Sequence, residues 1–259
     1  MQRGGSVYNR LAMLDILLIL AAGFGAGIIN ALAGGGTFLT FPALVMIGIP
    51  PVAANATSAV AVFPGYLSAA LGFKREIGEL PRAALLRACV VTLVGGLIGG
   101  LLLLVSSNEV FAVLVPFLLL AATLAFAFQA QIQNWMRGTA LKATPYGTFG
   151  LMAVSIYGGY FNGGLGIVLL ALFALWGMES LNQMNGLKNA LSFVISAISV
   201  ATFAVAGIVH WNEALIMAAA AIAGGFAGAH LAKILPKSVV RGFIILIGLG
   251  MSAVFFARI

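Results

Sequence analysis

The amino-acid sequence predicts an all-α polytopic membrane protein made of two inverted repeats, each a glycine-broken helical hairpin plus three transmembrane helices. Three observations lead there. The 259 residues are 62% apolar and 7% charged, against about 25% charged in a soluble domain. Thirteen Lys or Arg and six Asp or Glu are too few to cover a water-facing surface. Apolar runs long enough to cross a bilayer recur along the chain, and its second half repeats the order of features of the first.

A spanning helix needs about 20 mainly apolar residues, each rising about 1.5 Å. Six runs meet this requirement: 51–73, 83–105, 110–131, 181–207, 214–232 and 239–257. Two more apolar regions carry clustered glycines, 11–47 around Gly34-Gly35-Gly36 and 146–177 around Gly158-Gly159 and Gly163-Gly164-Leu165-Gly166. Glycine costs a helix interior about 1 kcal/mol relative to alanine, so each region is expected to be two shorter helices. In the second, 146–157 and 167–177 are each about 17 Å long as helices, enough to reach the midplane and no further. Arg3 and Arg10 ahead of Ala31-Leu32-Ala33 imitate a secretory signal, but the apolar run is longer than the roughly 7–15 residues such a signal uses.

An ungapped offset of 130 lays Ala33-Gly34-Gly35-Gly36 on Gly163-Gly164-Leu165-Gly166 and Asn55 on Asn185, and an offset of 128 lays Gly96 and Gly100 on Gly224 and Gly228. The repeats are therefore 1–131 and 146–259, with 132–145 as a linker expected on the cytoplasmic side. Three crossings per repeat, with a hairpin that enters and leaves on one side, invert the second repeat relative to the first. Lys and Arg gather in cytoplasmic loops. Lys74, Arg75, Arg82 and Arg87, then Arg137 and Lys142, then Lys233, Lys237 and Arg241 flank alternate loops and make up nine of the thirteen basic residues, while 106–109 and 210–213 carry none. This assignment leaves Arg3, Arg10 and Arg258 outside. A full crossing by 11–32 would instead put the N-terminus inside, and the charges leave both assignments open. Gly95/Gly99, Gly96/Gly100 and Gly224/Gly228 fit the small-xxx-small pattern of close helix packing. They are read as a seam without chemistry, within one chain or between two copies in a homodimer.

Several chemistries are excluded by the residues present. Cys89 is the one cysteine, and His210 and His230 lie twenty residues apart, so no thiolate cluster or histidine metal site is expected. There is no H-E-x-x-H, G-x-S-x-G or P-loop, and Gly23-Phe24-Gly25-Ala26-Gly27 lacks the last glycine of a dinucleotide fingerprint. No enzyme activity and no cofactor are expected. The net charge of +7 forms no basic face, so nucleic acid is not an expected partner. Asp15, Glu76, Glu79, Glu109, Glu179 and Glu213 fall in loops or near helix ends, which offers no buried acid for a proton relay. His210 beside Trp211 reads as interfacial, His230 as bonded to a backbone carbonyl, and Tyr157 and Tyr160 as packing residues.

What the membrane interior does offer is broken helices, where backbone N–H groups lose their partners. Half-helices starting near Thr37 and Gly166 would aim positive dipole ends and free N–H groups inward, an arrangement that favours an anion. Gly34, Gly35, Gly36, Gly163, Gly164 and Gly166 would let a small oxyanion approach the backbone, with Thr37 as a hydroxyl donor or N-cap. The alternative is that these glycines only permit tight helix crossings. Asn30 and Asn162 beside the clusters suit a ligand or the broken backbone equally.

A second polar group is Asn55-Ala56-Thr57-Ser58 and its counterpart Asn185-Gly186-Leu187-Lys188-Asn189, early in apolar spans. Ser180 to Gln183 reads as a capping box, which puts Lys188 about 12 Å below the helix start. An isolated ammonium there costs at least about 2.5–3.5 kcal/mol. It needs an anion, either Glu179 reached by snorkelling or a substrate. The candidate binding set adds Asn55, Thr57, Ser58, Asn185 and Lys188 to the glycine breaks.

These motifs, Gly23 to Gly27, Gly34-Gly35-Gly36-Thr37, Pro42 and Asn55-Ala56-Thr57-Ser58, with a second copy ending in Asn185-Gly186-Leu187-Lys188, resemble the TauE/SafE family of bacterial sulfite exporters. The resemblance runs over essentially the whole chain. It implies a multi-pass protein of the bacterial inner membrane that exports sulfite, sulfoacetate or a similar sulfur-containing or organic anion. The second copy departs from the first at Leu172 in place of the proline and at Leu187-Lys188 in place of Thr-Ser, so the two halves are expected to contribute unequally to a site. A carrier working by alternating access is the leading expectation. An anion channel or a non-transporting assembly partner would use the same residues differently.

Overall fold

The computed structural model describes residues 3–32, 35–128, 131, 134–135, 146–231 and 237–257. Gly34, most of the 132–145 linker and the side chains of Arg3, Arg10, Arg137, Lys142, His230, Lys233, Lys237, Arg241 and Arg258 lie outside the described residues. The described chain is helical, with no strand among the described residues. In order it runs α1 Arg3–Leu32, α2 Thr37–Met46, α3 Pro51–Gly72, α4 Lys74–Gly78, α5 Arg82–Val105, α6 Asn108–Ala127, α7 Thr148–Tyr160, α8 Leu165–Leu175, α9 Leu181–Val205, α10 Trp211–Leu231 and α11 Lys237–Phe256.

Local chemistry sets most of these ends. Pro51 opens α3 at the first helical position, where its missing N–H has no partner to lose. Ser180 caps α9, its hydroxyl accepting from the Gln183 N–H at 3.3 Å. The Gln183 side chain turns away to Glu79 and does not close the box. Gly177 and Gly207 end α8 and α9 at φ +78° and +71°, a conformation that a Cβ disfavours. Among the described residues four stretches are long and apolar enough to cross a bilayer, Met13–Asn30, Arg82–Val105, Asn108–Ala125 and Asn182–Val205. Leu93, Val94, Leu97, Ile98 and Leu101 of α5 are exposed, a face that suits lipid and not water.

The first glycine region divides where expected, between Leu32 and Thr37, but into unequal parts: α1 is a continuous 30-residue helix, long enough for the full crossing by 11–32, and α2 has 10 residues. Gly23 and Gly27 pack α1: a Cβ on Gly23 would press on the Met217 carbonyl and one on Gly27 on the Ala221 carbonyl of α10. In the second region the break is confined to residues 161–164, and Gly158-Gly159 stay inside α7.

Packing partners follow a pattern. α1 lies on α10 and α7 on α5; α3 and α9 lie on each other; α9 also packs on α5, and α3 on α10; α6 packs on α11. Glycine makes both outer pairs possible. A Cβ on Gly224 would strike Phe24 of α1, and one on Gly99 would strike the Ile156 carbonyl of α7. Gly95, Gly96, Gly99, Gly100 and Gly224 thus face helices of the same chain, α7 and α9 for the four on α5 and α1 for Gly224.

The two ends differ in charge. At one end a cleft of about 430 Å³ is lined by Pro50, Val52, Ala53, Asn108 and Gly207 to His210, without Lys or Arg. Lys74, Arg75, Arg82 and Arg87 gather at the other, where Arg87 donates to the Tyr146 carbonyl at 2.8 Å and Arg75 lies 3.8 Å from Glu79. Loops 106–109 and 210–213 thus meet at the end without Lys or Arg, as the alternation of basic loops requires.

Candidate functional site

At the first break the protein satisfies much of its own backbone. The Gly36 N–H donates to Asn30 Oδ1 at 2.8 Å, and the N–H groups of Phe38, Leu39 and Thr40 turn back onto the Gly35 and Gly36 carbonyls. Asn30 is therefore a cap across the break. Gly36 has no room for more, since a Cβ would sit 2.6 Å from the Asn30 amide nitrogen. Thr37 is buried and opens α2 without a side-chain cap. Thr40 shares a 2.6 Å hydrogen bond with Ser58, which fixes α2 on α3.

The second break is different. The Leu165 N–H bonds the Asn162 carbonyl, and the Ile167 and Val168 N–H groups bond the Gly164 carbonyl. The N–H groups of Gly163, Gly164 and Gly166 have no acceptor among the described residues, although all three glycines are buried. Gly164 is left-handed, φ +74°, and such a turn brings successive N–H groups towards one side, where they form an anion-binding concavity. Orphaned buried amides are rare and costly in a membrane interior, so such a break favours an external acceptor. Phe38 of α2 reaches within 3.8 Å of a Cβ placed on Gly164 and 3.1 Å of one placed on Gly35. One phenyl ring thus separates the two breaks.

Asn162 ties the second break to the central helix pair. Its Oδ1 accepts from the Tyr66 hydroxyl of α3 at 3.1 Å, and its Nδ2 donates to Ser196 Oγ of α9 at 3.0 Å. The Tyr157 hydroxyl donates to the Gly163 carbonyl. The roles of Tyr66, Tyr157 and Ser196 escape the motif search, yet Tyr66 and Ser196 are related by the same offset of 130 that relates Asn55 to Asn185.

Lys188 lies on α9 and is 8% exposed. Its Nζ donates to Asn185 Oδ1 at 3.2 Å. No carboxylate among the described residues lies within 4.0 Å of it, so Glu179 is not its counter-ion. Asn185, Lys188, Ser192, Ser196 and Ser199 recur at spacings of three and four, one face of a helix. Ser192 Oγ is buried with no partner, whereas Thr57, Thr92, Thr123, Ser155 and Ser199 each donate back to the carbonyl four residues earlier, the usual resort of a helical hydroxyl. The stripe thus carries a buried ammonium, then a free hydroxyl, then Ser196, which Asn162 joins to the break at Gly163 and Gly164. Lys188 to Ser196 spans about 12 Å along the axis. The spacing was visible in the sequence; the unpaired state of Ser192 was not.

On α3 the matching residues are occupied otherwise. Asn55 Nδ2 donates to the Tyr160 carbonyl at 2.9 Å, and the His210 N–H donates to Thr57 Oγ1 at 3.1 Å, whose hydroxyl in turn bonds the Ala53 carbonyl. Ser58 is held by Thr40. Asn55, Thr57 and Ser58 therefore join helices, and α9 and the second break carry donors without an acceptor among the described residues. Among the described residues no group of three or more His, Cys, Asp or Glu could hold a metal ion.

The comparison with known proteins meets this arrangement at residues 19–255, which match the family model described as sulfite exporter TauE/SafE. The chain belongs to the TauE/SafE sulfite exporter family. Curated relatives of this TauE/SafE protein cover nearly all of it. A probable membrane transporter protein of Haemophilus influenzae is 31% identical over 246 residues, 93% of this chain and 94% of its own length. The probable membrane transporter protein YfcA of Escherichia coli K12 is 27% identical over 251 residues, 95% of this chain and 92% of its own. One from a Sinorhizobium species is 26% identical over 245 residues, 93% and 92%. No solved structure matches the chain. This TauE/SafE protein is thus a multi-pass membrane protein of a transporter family.

Proposed function

We propose that this protein is a carrier of the bacterial inner membrane that exports a small sulfur-containing or organic anion, sulfite or sulfoacetate among them, by alternating access between two inverted halves. The observation that carries the reading is Lys188, a buried ammonium whose hydrogen-bond partner is the neutral Asn185. Leaving a charge in that state costs several kcal/mol, and a bound anion would offset the cost. The unpartnered Ser192 hydroxyl and the amides of Gly163, Gly164 and Gly166 supply further donors on the adjoining α8 and α9, and donors at a helix start favour negative charge.

The exchange of packing partners supports the inverted halves. Swapping α1 with α7, α2 with α8, α3 with α9, α5 with α10 and α6 with α11 turns the α1–α10 contact into α7–α5, α9–α5 into α3–α10, and α6–α8 into α11–α2. An inside-negative potential favours outward movement of each negative charge by about 2.3 kcal/mol per 100 mV, so export needs no buried acid. The test is sulfite efflux from proteoliposomes at clamped potentials. Efflux that grows with inside-negative potential and saturates with sulfite is expected. Efflux that follows only the pH gradient would contradict potential-driven export, and unitary currents would make the protein a channel.

A further inference from the structure

Two asparagines at the same register position meet opposite fates. Asn185 Oδ1 accepts from the Lys188 ammonium at 3.2 Å. Asn55, 130 residues earlier, has Ser58 where its counterpart has Lys188, and Ser58 is engaged with Thr40. Asn55 is 2% exposed, and its Oδ1 is buried without any hydrogen-bond partner. The orientation of this amide is not arbitrary. Its Nδ2 donates to the Tyr160 carbonyl at 2.9 Å, and turning the amide over would set oxygen against oxygen. An orphaned buried acceptor is costly, so the interior holds a carbonyl oxygen that calls for a positive or donating group.

We propose that Asn55 Oδ1 is a ligand of a monovalent cation, bound where the second half carries its own cation as Lys188. Three features give the site its chemistry. The free atom is an amide oxygen, a hard ligand that suits alkali cations and ammonium groups. It lies at the C-terminal end of α7, which closes at Tyr160, and that end of a helix carries the negative pole of the macrodipole. No carboxylate among the described residues pairs with a group at this position, so a single charge, not a divalent ion, matches the ligand set. The Lys188 ammonium shows which charge the equivalent amide takes. A free alkali ion and the ammonium head of a zwitterionic ligand share this chemistry. The proposal goes beyond the anion reading and does not depend on it.

The test is thermal unfolding of the purified full-length protein in chloride salts of sodium, potassium, ammonium and N-methyl-D-glucamine at equal ionic strength, with no sulfur oxyanion present. The expected result is a midpoint about 2–4 °C or more above the N-methyl-D-glucamine value in at least one of the three small cations, saturating with concentration. A response to sodium or potassium identifies a free metal ion, and a response to ammonium alone identifies the head group of a ligand. Asn55→Ala should abolish the response. Ser58→Lys, which copies the second half, should remove the gain from small cations. Equal midpoints of the wild-type protein in all four salts would overturn the proposal, as would an undiminished cation response in Ser58→Lys. Because the series contains no substrate anion, its failure leaves the anion site standing, and a failure of sulfite binding leaves this site standing.

Discussion

Phe63 of α3 stacks on Phe193 of α9, ring centroids 4.9 Å apart and planes 14° from parallel. The two residues are 130 apart, the offset that superposes the glycine breaks and the two asparagines. A residue that touches its own counterpart marks the place where a twofold relation between the halves would pass. Tyr66 and Ser196 keep the same offset, and a single side chain, Asn162, bonds both. The centre of the molecule is thus the α3–α9 pair, with the second glycine break fastened across it.

That fastening makes Asn162 a strong stability determinant. Asn162→Leu leaves the Tyr66 hydroxyl and Ser196 without their partner, and each stranded buried polar group costs about 1–3 kcal/mol. Tyr66→Phe strands one group, the Asn162 Oδ1, and is expected to cost about 1–3 kcal/mol, less than the two stranded groups of Asn162→Leu. Thermal unfolding of the two variants side by side checks the order. An Asn162→Leu protein as stable as Tyr66→Phe would mean that the bridge contributes little.

The glycine seams separate into close and open positions. Gly27→Ala, Gly99→Ala and Gly159→Ala each push a methyl into backbone of the facing helix, an overpacking worth about 1–3 kcal/mol. Gly65→Ala and Gly250→Ala meet nothing within 4 Å and should be neutral or slightly stabilising, since alanine is the better helix former. Expression and melting temperature of the five variants measure the contrast, and equal behaviour of the two groups would refute the seam.

Much of this arrangement was legible in the sequence. The starts of α3 and α9 were readable because Pro51 and Ser180 act locally, through a fixed φ and a hydroxyl on a nearby N–H. The break after α1 was readable from the Gly34-Gly35-Gly36 cluster, but the choice of a full crossing by 11–32 was not. The close fit of Gly23 and Gly27 against the Met217 and Ala221 carbonyls depends on a helix nearly two hundred residues away. The same limit applied to Lys188. Its depth followed from counting turns, but Glu179 stayed open as its counter-ion until the structure left it with Asn185. For Asn55 the residue type was informative and the role was not, because only its bond to Tyr160 decides which end of the amide is free.

Gly164→Ala tests the second break. Its φ of +74° costs an L-residue about 1–2 kcal/mol, and its methyl would lie 2.7 Å from the Ala122 Cβ. Gly207→Ala carries the same backbone cost at φ +71° with open space around it. Gly164→Ala is therefore expected to be the less stable of the two, and to lose sulfite-dependent stabilisation that Gly207→Ala keeps. Melting curves with and without sulfite report both quantities. Equal sulfite shifts in the two variants would remove the break from the site.

Lys188 separates stability from binding. Replacing an unneutralised buried ammonium by an apolar chain of similar length relieves a cost of about 2.5–3.5 kcal/mol. Lys188→Met without ligand should accordingly melt higher than the wild-type protein. A lower melting point would show that the ammonium is already neutralised within the protein.

The most direct measurement is calorimetric titration of sulfite into the purified wild-type protein and into Lys188→Met. The anion account predicts saturable binding to the wild-type protein and at least a tenfold loss, about 1.4 kcal/mol, in a Lys188→Met protein that remains folded. Equal affinity in the two proteins would contradict it.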